Sequence, residues 1–157
     1  MTTPTILAVT GHRRVATQTA HIKLLEFATA KLIACAPSKV LTGMALGWDQ
    51  LVAEACRRLR IPYEAYVPGI GQGSRWEHAE RLNYEFLLAK AARVVYVTDG
   101  PCTDVAFELR NRRLVDDCTE LAAFWSGAEG GTANCLRYAV KVGKPYVNWF
   151  PEWVKSS

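Results

Sequence analysis

Three glycine-bearing segments of this chain carry the residue types that hold phosphate. In Leu41-Thr42-Gly43-Met44-Ala45-Leu46-Gly47-Trp48-Asp49-Gln50 a short apolar stretch runs into two glycines and then an aspartate. Ile6 to Val9 leads in the same way into Thr10-Gly11-His12-Arg13-Arg14, and Leu121 to Trp125 leads into Ser126-Gly127-Ala128-Glu129-Gly130-Gly131-Thr132. Glycine lets backbone N–H groups approach a ligand closely, and a helix start adds roughly half a positive charge. Gly43, Met44, Ala45 and Gly47 therefore read as one phosphate cradle, and Gly130, Gly131 and Thr132 as another, with the Thr132 hydroxyl as both N-cap and ligand donor. The plainer reading is that each glycine serves a tight strand-to-helix turn. Three such turns on one rim favour binding.

The neighbouring side chains add charge. Thr10, Gly11, His12 and Arg13 directly follow the first apolar run, and Arg13 is suited to bidentate contact with phosphate or carboxylate. Asp49 would repel a phosphate, so it reads either as a helix cap or as an acceptor for a ribose hydroxyl. Glu108, Arg112 and Asp116 recur at the spacing of an exposed ion-pair stripe, which turns Arg110 and Asn111 elsewhere, toward a crevice. Cys135 lies one turn inside a glycine-initiated helix, where the dipole can lower a thiol pKa, although a packed, inert cysteine is the commoner outcome. Pro68 to Trp76, rich in glycine, reads as a flexible lid. Trp48 and Trp76 either stack on a nucleobase or fill a core edge or dimer contact, and the sequence leaves both readings open.

Positioning these residues takes a parallel α/β scaffold. Apolar runs of four to six residues alternate with longer amphipathic stretches, the pattern of repeated βα units. Strands are expected near Thr5–Val9, Lys39–Thr42, Tyr63–Val67, Arg93–Val97, Leu121–Trp125 and Pro145–Trp149. Helices are expected near Thr19–Cys35, Trp48–Leu59, Glu77–Ala91, Val105–Asp117 and Thr132–Val142. Ile22, Leu25, Thr29 and Leu32 should face the sheet from the first helix, and Leu51, Val52, Ala55 and Leu59 from the second. Strands apolar on both sides call for helices on both faces, hence a three-layer Rossmann-like sandwich with a mainly parallel sheet of about six strands. The usual order 3-2-1-4-5-6 would put the crevice between the first and fourth strands, surrounded by the loops after strands one, two, four and five. Residues 1–150 read as one domain and 151–157 as an expendable tail.

Composition narrows the function classes. The chain has 157 residues, half of them hydrophobic, and a formal net charge of +4. That charge suits a small anion better than a long polyanion footprint. Five cysteines without a C-x-x-C pair indicate neither a disulfide framework nor a zinc knuckle, and fit a reducing cytoplasm. His12, His21 and His78 form no metal-ligand spacing, so no metal is expected. No stretch approaches the roughly 18 apolar residues of a membrane span.

Thr10-Gly11-His12-Arg13, the Leu41 to Gln50 segment with Ala53-Glu54-Ala55, the Arg110-Asn111 pair and Gly130-Gly131-Thr132-Ala133 together resemble the SLOG superfamily, which includes the Smf/DprA proteins and the LOG phosphoribohydrolases. The small stand-alone YpsA-like proteins look nearest. The resemblance implies a Rossmann-like fold that binds a nucleotide or nucleotide-derived ligand, commonly as a homodimer or higher homo-oligomer, with no tightly held cofactor. In LOG enzymes an arginine on the fourth-strand helix, matched by Arg110, works with a glutamate three residues beyond the threonine of a P-G-G-x-G-T motif. Here that position is Cys135, and the motif reads Ala128-Glu129-Gly130-Gly131-Thr132. The leading expectation is thus a ligand-binding protein that senses or sequesters. The alternatives are an N-glycosidase on nucleoside 5'-monophosphates, with Arg110 orienting substrate and Asp49 or Glu108 as carboxylate, and a single-stranded nucleic-acid binder.

Overall fold

The computed structural model describes residues 3–13 and 18–156; Arg14, assigned above to the first loop, and Ser157 lie outside the described residues. Six strands, β1 (Ile6–Gly11), β2 (Lys39–Thr42), β3 (Tyr63–Val67), β4 (Arg93–Tyr96), β5 (Glu120–Phe124) and β6 (Tyr146–Asn148), form one sheet. They alternate with α1 (Gln18–Cys35), α2 (Trp48–Leu59), α3 (His78–Lys90), α4 (Asp104–Asp117), α5 (Gly131–Val142) and α6 (Phe150–Ser156). Every strand pairing is parallel. The three-layer α/β sandwich anticipated from the apolar runs is what forms.

The strand order is β4-β3-β2-β1-β5-β6, which corrects the expected 3-2-1-4-5-6. The fourth strand pairs with β3, Ala65 opposite Val94, instead of lying beside β1. Three successive crossovers carry the chain outward from β1 to the β4 edge. Helix α4 then returns across the opposite face, and β5 docks on the free side of β1 with Val9 opposite Ala122. The switch point therefore lies between β1 and β5, and the loop after β4 sits away from it, at the far edge.

The core divides as this path requires. Alternate strand residues Leu7, Val9, Val40, Tyr63 and Ala65 join buried residues of α1, α2 and α3 on one face. Ala8, Leu41, Tyr66, Leu121 and Ala123 join Leu114, Val115, Cys135 and Leu136 of α4 and α5 on the other. In α2 the expected stripe is in place, with Leu51, Val52 and Ala55 buried and Leu59 packed against them. In α1 the stripe is rotated: Leu24, Ala28 and Leu32 are buried, Leu25 packs beside them, and Ile22 is exposed. Thr29 turns its hydroxyl back to donate to the Leu25 carbonyl at 2.7 Å.

The segment read as an expendable tail is largely helical and attached. Phe150 and Trp153 of α6, one helical turn apart, both pack against the α1-side core. Trp153 meets the Phe27 ring at 5.6 Å, and Glu152 pairs with Lys31. These aromatic contacts attach the segment to the core.

Candidate functional site

A cavity of about 390 Å³ opens at the β1–β5 switch point, lined by residues from four segments far apart in the chain. Thr10 to Arg13 enter from β1, Ala45 and Asp49 from the β2–α2 connection, and Arg110 and Asn111 from α4. Ala128 to Thr132 close the far wall. Most of the residues picked out in the sequence thus meet at one mouth. Glu108 does not. It sits in a separate shallow groove between α4 and α5, where its carboxylate accepts from Arg112 at 2.8 Å. The i, i+4 spacing had marked that pair, and its geometry removes Glu108 from the crevice.

The glycines play two different parts. Gly43 and Gly11 make room for the protein's own side chains: a Cβ on Gly43 would lie 2.6 Å from Arg110 Nη1, and one on Gly11 would collide with the Trp48 ring. Gly47 takes φ 86° and ψ −126°, and a Cβ there would strike the backbone of Arg13 and His12. By contrast, a Cβ on Gly130 or Gly131 would meet nothing within 4 Å among the described residues. Open backbone beside the cavity is found at the start of α5.

Several polar groups of the 43–47 loop are taken up internally. The Met44 N–H donates to Thr42 Oγ1 at 3.3 Å, the Ala45 N–H to Asp49 Oδ2 at 3.3 Å, and the Trp48 N–H to the His12 carbonyl at 3.0 Å. Arg110 and Gln72 both donate to the Gly43 carbonyl, at 2.6 and 3.2 Å, and Gln50 donates to the Met44 carbonyl at 3.0 Å. A carboxylate of the protein thus occupies the amide position that sequence grammar assigns to phosphate. Asp49 does not cap α2: the N-cap is Gly47, with no side-chain cap bond. Thr132 likewise lies inside α5, whose N-cap is Gly130. The first-turn amides of α5 are left without a side-chain cap.

Asp49 and Arg110 are both buried. Burial pushes the Asp49 carboxyl up to about 6, against the opposing pull of Arg110, the Ala45 and Gly11 amides and Arg13. Asp49 Oδ1 is buried and has no hydrogen-bond partner among the described residues, a state that buried polar groups seldom adopt. Burial also lowers the Arg110 pKa, with Asp49 acting in the other direction. The guanidinium remains well held, its Nε donating to Asn111 Oδ1 at 3.0 Å while Asn111 Nδ2 donates to the Gly131 carbonyl at 3.3 Å. These bonds tie α4 to the glycine turn.

His12 Nε2 accepts the Ser126 N–H at 2.7 Å, joining the β1 and β5 loops across the switch. The ring also packs edge-on against Phe124 and Phe150. An accepting Nε2 requires the neutral Nδ1–H tautomer, and burial lowers the pKa. We expect nitrogen-15 NMR to show the Nδ1–H form and a titration midpoint below 6.5; a midpoint at or above that value would contradict the bond. Arg13 is exposed at the cavity rim.

Two residues left open by the sequence are decided here. Trp48 is wholly buried and stacks on Phe124 at 4.4 Å, so it belongs to the core. Cys135 is buried, with its thiol pushed by burial up to about 12, the packed and inert state. Gln50 and Gln72, which position the loop, carried no recognisable signal, since glutamine is common on helix and loop surfaces alike.

No protein-family profile matches the chain. The uncharacterized SPbeta prophage-derived protein YoqJ of Bacillus subtilis is 24% identical over 127 residues, 71% of this chain and 74% of that protein. Among solved structures, DNA processing protein A of Helicobacter pylori, described by its single-stranded DNA binding mode, superposes with a TM-score of 0.66 at 21% identity. The match covers 92% of this chain and 64% of that one, so this chain spans under two thirds of that relative's length. The molybdenum cofactor binding protein of Rippkaea orientalis superposes at 0.60 with 18% identity, over 93% of this chain and 76% of that one. The chain therefore has the fold of DNA processing protein A and of the molybdenum cofactor binding protein, the Rossmann-like fold that the SLOG resemblance implies.

Proposed function

We propose that the switch-point cavity binds a nucleotide or nucleotide-derived ligand for sensing or sequestration, as a member of the YpsA-like branch. Its phosphate rests on the open amides of Gly130, Gly131 and Thr132, with Arg13 closing over it from the rim. The observation that carries this reading is the uncapped α5 start. Its two unobstructed glycines face a cavity that also holds Arg110, and the dipole of a 12-residue helix adds positive potential there. The 43–47 loop supplies shape, not phosphate contacts. A cavity of about 390 Å³ is within the usual range of small-ligand sites. The unpaired cysteines suit the cytoplasm, and a homodimer is the assembly the resemblance implies.

The enzyme alternative, an N-glycosidase on nucleoside monophosphates, has one specific support, a buried carboxylate beside an arginine in the same cavity. With Glu108 paired elsewhere, it depends on Asp49. Purified protein incubated with AMP, GMP, CMP and UMP is expected to bind at least one of them and release no free base by chromatography. Base release that disappears in Asp49→Ala would replace the binder by the hydrolase. Single-stranded DNA is the ligand described for one relative of this fold. A steep loss of oligonucleotide affinity between low and moderate salt would favour it here, because each neutralised phosphate adds to the slope.

A further inference from the structure

The crevice does not end at Arg13. Arg13 and Ala45 line both the switch-point cavity and a second lobe of about 670 Å³, formed by the loops after β3 and β4 and the start of α4. The chemistry changes along this path. Where the first lobe presents amides, Asp49 and Arg110, the second presents Ile70, Trp76, Phe107 and Cys102 beside Gln72, Ser74 and Arg75. Ile70 is 64% exposed at the mouth of this lobe.

That loop, expected from its glycines to be a flexible lid, is hydrogen-bonded to the β4–α4 connection. The Ile70 N–H donates to the Gly100 carbonyl at 2.8 Å, and Thr98 Oγ1 to the Pro68 carbonyl at 2.7 Å. The Trp76 ring lies against Gly73, whose φ of 81° and lack of a side chain make the space, and meets Tyr84 edge-on at 5.3 Å. A polar chain then joins the two lobes. Tyr84 donates to Gln72 at 2.9 Å, Gln72 donates to the Gly43 carbonyl at 3.2 Å, and Arg110 donates to that same carbonyl. Arg110 also sits over the Phe107 ring at 5.6 Å. The aromatic wall and the anion wall are thus held at a set separation.

We infer that the ligand is a nucleotide whose heterocyclic base occupies this second lobe, against Trp76 and Phe107, while its phosphate lies on the Gly130 to Thr132 turn. This inference rests on the proposed phosphate site and adds the part of the ligand that the aromatic lobe recognises. A planar base gains from an aromatic surface about 1–3 kcal/mol, roughly a five- to hundredfold change in affinity. A sugar phosphate without a base gains none of it.

Calorimetric titration of the full chain with ribose 5-phosphate and with AMP, GMP, CMP and UMP tests this. At least one nucleotide should bind about tenfold or more tighter than ribose 5-phosphate. Trp76→Ala should erase most of that margin. Ile70→Asp, at an exposed position that folding tolerates, should narrow the same margin by putting a charge in the mouth of the lobe. If ribose 5-phosphate binds and no nucleotide binds more tightly, or if the margin survives both substitutions, the base lobe is overturned and the phosphate site stands. If ribose 5-phosphate and all four nucleotides fail to bind, both readings fall.

Discussion

Asp49→Asn is expected to stabilise the protein by about 2–3 kcal/mol at pH 8 and by only a few tenths at pH 4. Burial raises the carboxyl from its ordinary 3.8 to about 6, so ionising it costs more in the folded chain than in the unfolded one. The sign follows directly. A carboxyl with a raised folded pKa favours the folded state below pH 3.8, and that contribution is lost as pH climbs through about 6. Asparagine keeps the neutral form at every pH and still offers an oxygen to the Ala45 N–H. The opposing effect is loss of the counter-charge to Arg110, which can cost several kcal/mol when a buried cation has nowhere to turn. Arg110 retains the Gly43 and Tyr66 carbonyls and Asn111 Oδ1, so the carboxylate's own desolvation should dominate. Urea unfolding of both proteins at pH 4 and pH 8 decides the matter, and a less stable variant at pH 8 would show Asp49 to be a net stabilising partner. A binding consequence depends on the proposed phosphate site. Sulfate, whose charge is constant over this range, should bind wild type more tightly as pH falls from 8 to 5.5, and bind Asp49→Asn with little pH dependence.

Gly47→Ala should destabilise the chain by about 4 kcal/mol, combining a glycine-only backbone conformation with forced displacement of packed backbone. The residue sits at φ 86° and ψ −126°, and the added methyl would press on the backbone of Arg13 and the His12 carbonyl. These atoms cannot swing aside as a flexible side-chain end would, because the His12 carbonyl accepts the Trp48 N–H that anchors the start of α2. Gly131→Ala provides the contrast. Its methyl enters open space at the first position of α5, so stability should hold or improve by about 0.5–1 kcal/mol. If phosphate sits on that turn, the same methyl should weaken sulfate binding severalfold. Denaturant midpoints and sulfate titrations of the two variants should therefore diverge, one losing fold and the other losing ligand. Equal, small stability effects at both positions would refute the packing role assigned to Gly47.

Much of the scaffold was legible in the amino-acid order. Trp48–Leu59, Lys39–Thr42 and Tyr63–Val67 begin and end where apolar runs and glycine punctuation place them. Such boundaries depend on interactions a few residues apart, which periodicity records directly. Most of the crevice's membership was also legible, because in a parallel sheet the loops at the strands' carboxyl ends share one rim, although the loop after β4, expected at the crevice, lies at the far edge. The sequence by itself thus determined an α/β sandwich and a glycine-rich mouth with Arg13, Asp49 and Arg110 around it.

Tertiary structure decided the rest, through contacts between residues far apart in the chain. Pairing of β4 with β3, not with β1, moved the switch point to β5, and a short strand does not encode its neighbour. The meaning of each glycine was equally non-local: Gly43 yields to a side chain 67 residues away, while Gly130 and Gly131 yield to nothing and leave their amides to a ligand. Trp48 entered the core because Phe124 of β5 came to lie parallel to its ring, and Glu108 left the site because the turn of α4 that faces the sheet end carries Arg110 and Asn111 instead. Local chemistry specifies which residues are able to meet an anion; only the packed fold specifies which of them are already engaged.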